Sequence, residues 1–277
     1  MKKIMGISVL LCLLMVLTLP LSAKGKIEFG FHFSSWSINW LESMVEDMIA
    51  DGIKTNMVDK IKEDNPEWQE TSYTNVVDFD SGGNNFGFEF RWYPGGEEGS
   101  FSLGLSVEKT TMKLSLPSLA TSLVLENELG ETGSFQADAN GEFLIKPLSF
   151  HLSFRWDIKP SWRVRPYITL GFGFAGGSAL DNASLTYSFI GTLLNPDGSS
   201  EIIEESASKT LAQLKKEDEE RKKEEGDEGE PMTYPGFLPF IQLSFGVKGM
   251  ITKNVYLLVD YGIWNGFLLR GGISIRI

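Results

Sequence analysis

Residues 164–174 read VRPYITLGFGF, and their side chains alternate. Ile168, Leu170, Phe172 and Phe174 are apolar, while Arg165, Tyr167, Thr169, Gly171 and Gly173 are polar or lack a side chain. A repeat of two is the period of an extended strand, whose successive residues point to opposite faces. One face carries a charge and glycines, and the other is oily enough for lipid. Such a strand separates a lumen from a bilayer rather than a core from water.

Seven other stretches repeat the alternation. Ile27, Phe29, Phe31 and Phe33 alternate with Glu28, Gly30, His32 and Ser34, and Phe86, Phe88, Phe90 and Trp92 with Gly87, Glu89 and Arg91. Residues 101–108, 148–157, 240–248 and 255–263 follow the same rule, with Leu258 as an apolar exception on an inner face, and a last strand runs to Ile277. Eight is the even number that a closed antiparallel barrel requires. The spacing therefore predicts an all-β, eight-stranded, up-and-down transmembrane β-barrel. Its connections over 94–100, 158–162 and 249–254 are short, whereas those over 36–84, 109–147 and 176–235 are long; short periplasmic turns and long extracellular loops are the asymmetry of such barrels. Asn265-Gly266 reads as a tight turn. A soluble sandwich or lipocalin-like barrel, the alternative for an alternating pattern, would place its oily face inside.

Residues 1–23 have the order of a cleavable secretory signal: Lys2 and Lys3, an apolar run from Ile4 to Leu19, then small residues ending at Ala23. The expected mature chain, 24–277, is one barrel domain. The single cysteine, Cys12, lies in the apolar run with Leu11 where lipid attachment needs a small residue, so neither a lipid anchor nor disulfides are expected. The formal charge of -12 argues against nucleic acid as a partner.

The inner faces carry the acids Glu28, Glu89, Glu108, Asp157 and Asp260 and the bases Arg91, Arg155, Arg165, Lys248, Arg270 and Arg276. In a lumen just wide enough for side chains these sets are expected to form an ion-pair network instead of lining an open pore. Trp36, Trp92, Tyr93, Trp156, Trp162, Tyr261 and Trp264 fall near strand ends and are expected to form two aromatic girdles at the water–lipid boundaries. Pro166 and Pro239 lie near strand starts, where a missing N–H is tolerable. Two histidines on separate strands have no ligand spacing, and no glycine loop precedes a helix, so neither a metal nor a cofactor is expected.

In the first long loop, apolar residues from Ile38 to Ile61 recur at helical spacing, with Gly52 expected to divide two amphipathic helices that pack a small core of their own; a lid over the mouth or a segment on the outer leaflet are the other readings. Met112, Leu114 and Leu116 continue the alternation into the second loop, which predicts a hairpin above the membrane. Residues 201–230 are rich in charge, above all over 215–225, and read as a solvated or disordered tip.

Arg165-Pro166-Tyr167 with Gly171-x-Gly173, then Val259-Asp260-Tyr261-Gly262 and an alternating C-terminal strand, resemble the OmpA/OmpX-like outer-membrane β-barrel superfamily. That resemblance implies the barrel fold, an outer-membrane location, lipids and the barrel-assembly machinery as partners, and little about activity. The chain departs from the family in ending on Ile277 instead of an aromatic residue. His151-Leu152-Ser153 is similar to the His-x-Ser pair of outer-membrane lipid A deacylases, but here the alternation sends both residues into the lumen. The expected role is therefore structural or adhesin-like, carried by the outer loops toward an unnamed surface ligand. A small channel is the alternative, and a lipid-modifying enzyme the third reading.

Overall fold

The computed structural model describes residues 25–64, 66–225 and 233–277, so the expected signal lies outside the described residues. In chain order the elements are β1 (Lys26–Ser37), α1 (Glu42–Ile53), α2 (Asp59–Asp64), β2 (Trp68–Tyr93), β3 (Phe101–Asn127), β4 (Thr132–Ile145), β5 (Leu148–Asp157) and β6 (Val164–Gly176). They continue with α3 (Ser178–Asp181), β7 (Ser184–Leu194), β8 (Ser200–Thr210), α4 (Leu211–Glu225), β9 (Phe237–Met250), β10 (Val255–Trp264) and β11 (Phe267–Arg276).

Eight strands close on themselves. β1 pairs with β2 on one side and β11 on the other, so that Phe31 stands opposite both Phe88 and Ile273. The circuit continues antiparallel through β3, β5, β6, β9 and β10 back to β11. Closure leaves no free edge at membrane depth, the condition that lets a sheet cross a bilayer. Side-chain parity then decides inside from outside: Phe31, Phe88 and Ile241 are 52%, 55% and 64% exposed, whereas Glu28 and Arg155 are 2% and 1% exposed. Oil outward and charge inward is the inverse of a soluble protein, and a continuous apolar belt of this kind has lipid as its solvent.

β2 and β3 outrun the barrel. Above Gly83, where β1 ends its pairing with β2, the two strands stay paired up to Trp68 and Asn127, with register shifts at residues 70–72 and 78–80. β4 joins the upper half of β3, β7 joins β4 and β8 joins β7, so a five-stranded wing of sheet rises from the long-loop end. The hairpin read in the second loop is the beginning of this wing.

Four details differ from the sequence reading. Strand two starts at Trp68 rather than in the mid-eighties; above the bilayer both faces meet water, so residues 68–82 need no apolar contrast. The helix runs through Gly52, and the irregularity comes at Lys54–Val58 as a π-turn, because α1 is held against β2 by contacts such as the Phe79 N–H donating to Glu46 Oε1 at 3.1 Å. α1 packs no core of its own and turns Met44 and Met48 outward, as the turn before it does Trp40, each at least half exposed. The charged tip expected to be disordered over 201–230 is ordered through residue 225: residues 200–210 form β8, whose backbone pairs with β7, and α4 is supported by ion pairs one turn apart, Lys216–Glu220 and Lys222–Asp218. Backbone pairing supplied what the side chains lack.

Candidate functional site: a filled lumen and an open outer sheet

Every charged residue expected in the lumen is buried there. They sort into layers. Nearest the short turns, Glu28 of β1 takes the Lys248 ammonium (Nζ–Oε2 3.1 Å) and the Arg276 guanidinium (Nη2–Oε2 2.8 Å), while Ser274 Oγ donates to its other oxygen at 2.9 Å. Asp157 lies 3.4 Å from the same ammonium, and the Tyr93 hydroxyl accepts from it at 2.7 Å. In the middle layer Glu89 joins Arg91 at 2.5 Å and Arg155 at 3.4 Å, and Asp260 is gripped by Arg270 Nε at 3.0 Å and by the Tyr167 hydroxyl. Nearer the long loops, Glu108 accepts from Asn85 Nδ2 at 2.7 Å and Ser106 Oγ at 2.9 Å, with His32 Nε2 3.3 Å away.

Arg165 stands apart from the carboxylates: its Nε donates to the Trp162 carbonyl at 2.9 Å, and its guanidinium lies 5.2 Å from the Tyr256 ring centroid. Tyrosines are the members of the network that the charge pattern did not reveal. Arg276 sits 3.7 Å above the Tyr93 ring and Arg155 4.3 Å above Tyr167. Inward aromatics give these cations a partner without a further desolvated acid.

Space for such large groups comes from inward glycines. A methyl at Gly104 would lie 2.5 Å from Arg91 Nη2, and one at Gly173 or Gly246 would overlap the ring of His151 or Tyr167. The cavity at His32, Glu89, Arg155 and Arg270 measures about 10 Å³, room for one water at most. Above it the lumen is closed by an apolar plug in which Trp36, Met112, Ile145, Phe240, Trp264 and Leu268 meet.

That plug corrects the girdle. Trp36, Tyr93 and Trp264 point inward, at 4%, 0% and 1% exposure. Their parity explains it: Trp36 shares a face with Glu28 and His32, Tyr93 with Glu89 and Arg91, and Trp264 with Asp260. Trp92, Trp156 and Trp162 remain on the outside at the short-turn end, Trp92 half-buried and the other two exposed, and Tyr261 faces outward in the long-loop half of β10.

His151 and Ser153 take different partners. His151 Nε2 hydrogen-bonds Ser149 Oγ at 2.7 Å and its ring lies 4.2 Å from that of Trp264, whereas Ser153 Oγ accepts from Arg91 Nη2 at 2.7 Å. Among the described residues no group of three or more His, Cys, Asp or Glu is placed to hold a metal ion.

At the long-loop end the wing has two edges with different treatment. The β2 edge is covered: Asn39 Oδ1 accepts the Ser81 N–H at 2.7 Å, and Asn39 Nδ2 donates to Asp80 at 2.8 Å. β8 pairs with β7 alone among the described residues and is exposed over most of its length, including Ile202 and Ile203 at 62% and 49%.

The architecture is a closed, eight-stranded antiparallel barrel with a wing of sheet at its long-loop end. No family model and no curated sequence relative matches the chain. Among solved structures it is similar to Ail, the attachment invasion locus protein of Yersinia pestis, crystallised with the heparin analogue sucrose octasulfate, at 10% identity over 92% of this chain and 99% of that one, with a TM-score of 0.34. The translocator domain of the autotransporter NalP from Neisseria meningitidis aligns at 8% identity over 94% and 91% of the two chains (TM-score 0.25), and the transport unit of AIDA-I from Escherichia coli at 9% over 93% and 91% (TM-score 0.19). The barrel assignment stands on its own closed hydrogen-bond ladder.

Proposed function

We propose that this chain is an integral outer-membrane protein whose barrel is an anchor and whose function is surface interaction through the outer wing. The observation that carries the reading is the asymmetry of the wing's edges. A sheet edge is a template for another strand, and proteins ordinarily cover it. Here the β2 edge is capped by the Asn39 and α1 region, while β8, among the described residues, keeps an unpaired backbone row beside Glu201, Glu204 and Glu205. An extended segment of a partner protein could add to this edge, with backbone hydrogen bonds giving affinity and the acidic row favouring a basic partner. Membrane lipids and the barrel-assembly machinery are the other partners implied by such a barrel.

A channel is disfavoured by the packed polar layers and the apolar plug. The separate hydrogen bonding of His151 and Ser153 supports a non-enzymatic role. The test is display of the full chain on bacteria lacking other adhesins, beside a variant in which residues 184–234 are replaced by a short Gly-Ser linker. Adherence to epithelial cells or matrix-coated surfaces that disappears in the variant, while its unboiled form still migrates as a compact species, supports the reading. Equal adherence of both, or none by either, overturns it.

A further inference from the structure

At residues 109–112 the β3 ladder changes partner. Lys109 and everything below it pairs with β5, whereas Met112 and everything above it pairs with β4. β5 continues into β6 of the barrel and β4 into β7 of the wing. The sheet therefore forks, and the fork encloses a notch of about 390 Å³ lined by Lys109, Lys146, Leu144, Leu148, Asn182 and Ser184, among others.

The height of this notch is set by the strands. Leu148, opposite Lys109, is the top of the β5 row that faces lipid, and it is 51% exposed. Below it on the same outer face lie Phe150 and Phe174, paired across β5 and β6 with ring centroids 6.2 Å apart. A lipid molecule at this place would lay its chains on those rings and its headgroup in the fork.

The charge of the notch selects the headgroup. Lys109 and Lys146 are both exposed, and Lys109 Nζ donates to the Lys146 carbonyl at 3.3 Å, which brings the two residues together. Among the described residues neither forms an ion pair with an acid. Two positions higher on the same face, Lys113 is neutralised by Glu142 across β3–β4, Nζ–Oε2 2.6 Å. In a chain of net charge -12, two cations left without carboxylates beside an apolar rail form a local anion site. Asn182 and Ser184 add neutral polar groups.

We infer that the fork binds the phosphorylated headgroup of a membrane lipid, with Lys109 and Lys146 meeting the phosphate and Phe150 and Phe174 meeting the acyl chains. The site rests on the barrel lying in a membrane, and it is independent of the β8 edge. Nothing in it requires catalysis.

The test uses the full chain in nanodiscs of phosphatidylcholine doped with phosphatidic acid, a phosphomonoester lipid, with retained lipid read by native mass spectrometry after release into mild detergent. Retention of phosphatidic acid over phosphatidylcholine is expected, weakened roughly fivefold in Lys109→Gln or Lys146→Gln and about 25-fold in the double variant, from the usual attraction of one lysine to an anionic lipid surface. Lys113→Gln serves as the control, with retention expected to equal that of the parent, and Lys109→Arg restores charge and retention. Migration of each unboiled variant as a compact species separates loss of the site from loss of the barrel. Equal retention of both lipids by the parent protein, an equal fall in the Lys113 variant, or competition by millimolar inorganic phosphate showing that a free anion suffices, overturns the inference.

Discussion

Arg276 on β11 reaches Glu28 on β1 with Nη2 2.8 Å from Oε2, at the seam where the last strand of the circuit pairs with the first. The carboxylate is shared with Lys248 of β9 and Ser274 of β11. Three strands are thereby joined through one buried acid. Glu28→Gln keeps the shape and removes the charge, leaving two cations to Asp157. Breaking one side of a buried pair costs about 3–5 kcal/mol, and Ser274→Ala, which removes one neutral donor, should cost about 1 kcal/mol. Urea midpoints of the protein in detergent, followed by the unboiled-gel shift, measure both, and equal midpoints for Glu28→Gln and the parent would refute the shared-acid account.

The inward glycines make an independent prediction about packing. Gly173 lies against His151, whose ring occupies the space a methyl would need. Gly173→Ala should destabilise the barrel by about 1–3 kcal/mol, the usual range for overpacking. His151→Ala in the same chain should recover most of that loss by vacating the space. If the double variant is no more stable than the worse single variant, then the ring and the glycine are not coupled.

Much of the barrel was legible because lipid on one side and a charged lumen on the other force the strongest contrast that alternation can show. The wing was harder to read. In β7, Leu185, Tyr187 and Phe189 alternate with Thr186 and Ser188 only until Ile190 breaks the pattern, and in β8 nearly every side chain is exposed; a sheet wetted on both faces needs no sustained period-two contrast. Trp36, Tyr93 and Trp264 teach a different lesson. Their parity places them inside with Glu28, Glu89 and Asp260, whereas the preference of aromatic residues for water–lipid boundaries points outward, and register wins. The notch at Lys109 and Lys146 was not legible at all, since it exists only where β3 changes partners.

Two barriers in series close the lumen. The apolar plug around Trp36, Phe240 and Trp264 lies at the long-loop end, and beneath it the Glu89–Arg91–Arg155 layer fills the cross-section. In planar bilayers the folded protein should therefore show no stable conductance steps. Trp264→Ala should remain silent as well, because the ionic layer still blocks the path. Steps from the parent protein would show that the lumen opens in a membrane, and steps from Trp264→Ala alone would make the plug the sole barrier.

The turn that joins β7 to β8 carries a pH dependence whose sign follows from its hydrogen bonds. Asp197 Oδ1 accepts from the Ser199 hydroxyl at 2.5 Å and from the Ser199 N–H at 2.8 Å. These bonds favour the carboxylate, the hydroxyl more than the backbone, and hold Asp197 below its usual value of 3.8. A depressed carboxyl stabilises the folded turn at every pH above the unfolded value, and the contribution is lost as acid titrates the folded group. The β7–β8 tip should thus be fully formed at neutral pH and loosen only under strong acid. Carboxyl NMR of Asp197, with amide exchange at Ser199, reads both ends of this linkage. Ser199→Ala should move the Asp197 titration upward toward the ordinary range, and an unmoved titration would mean that the hydroxyl contributes nothing to the turn.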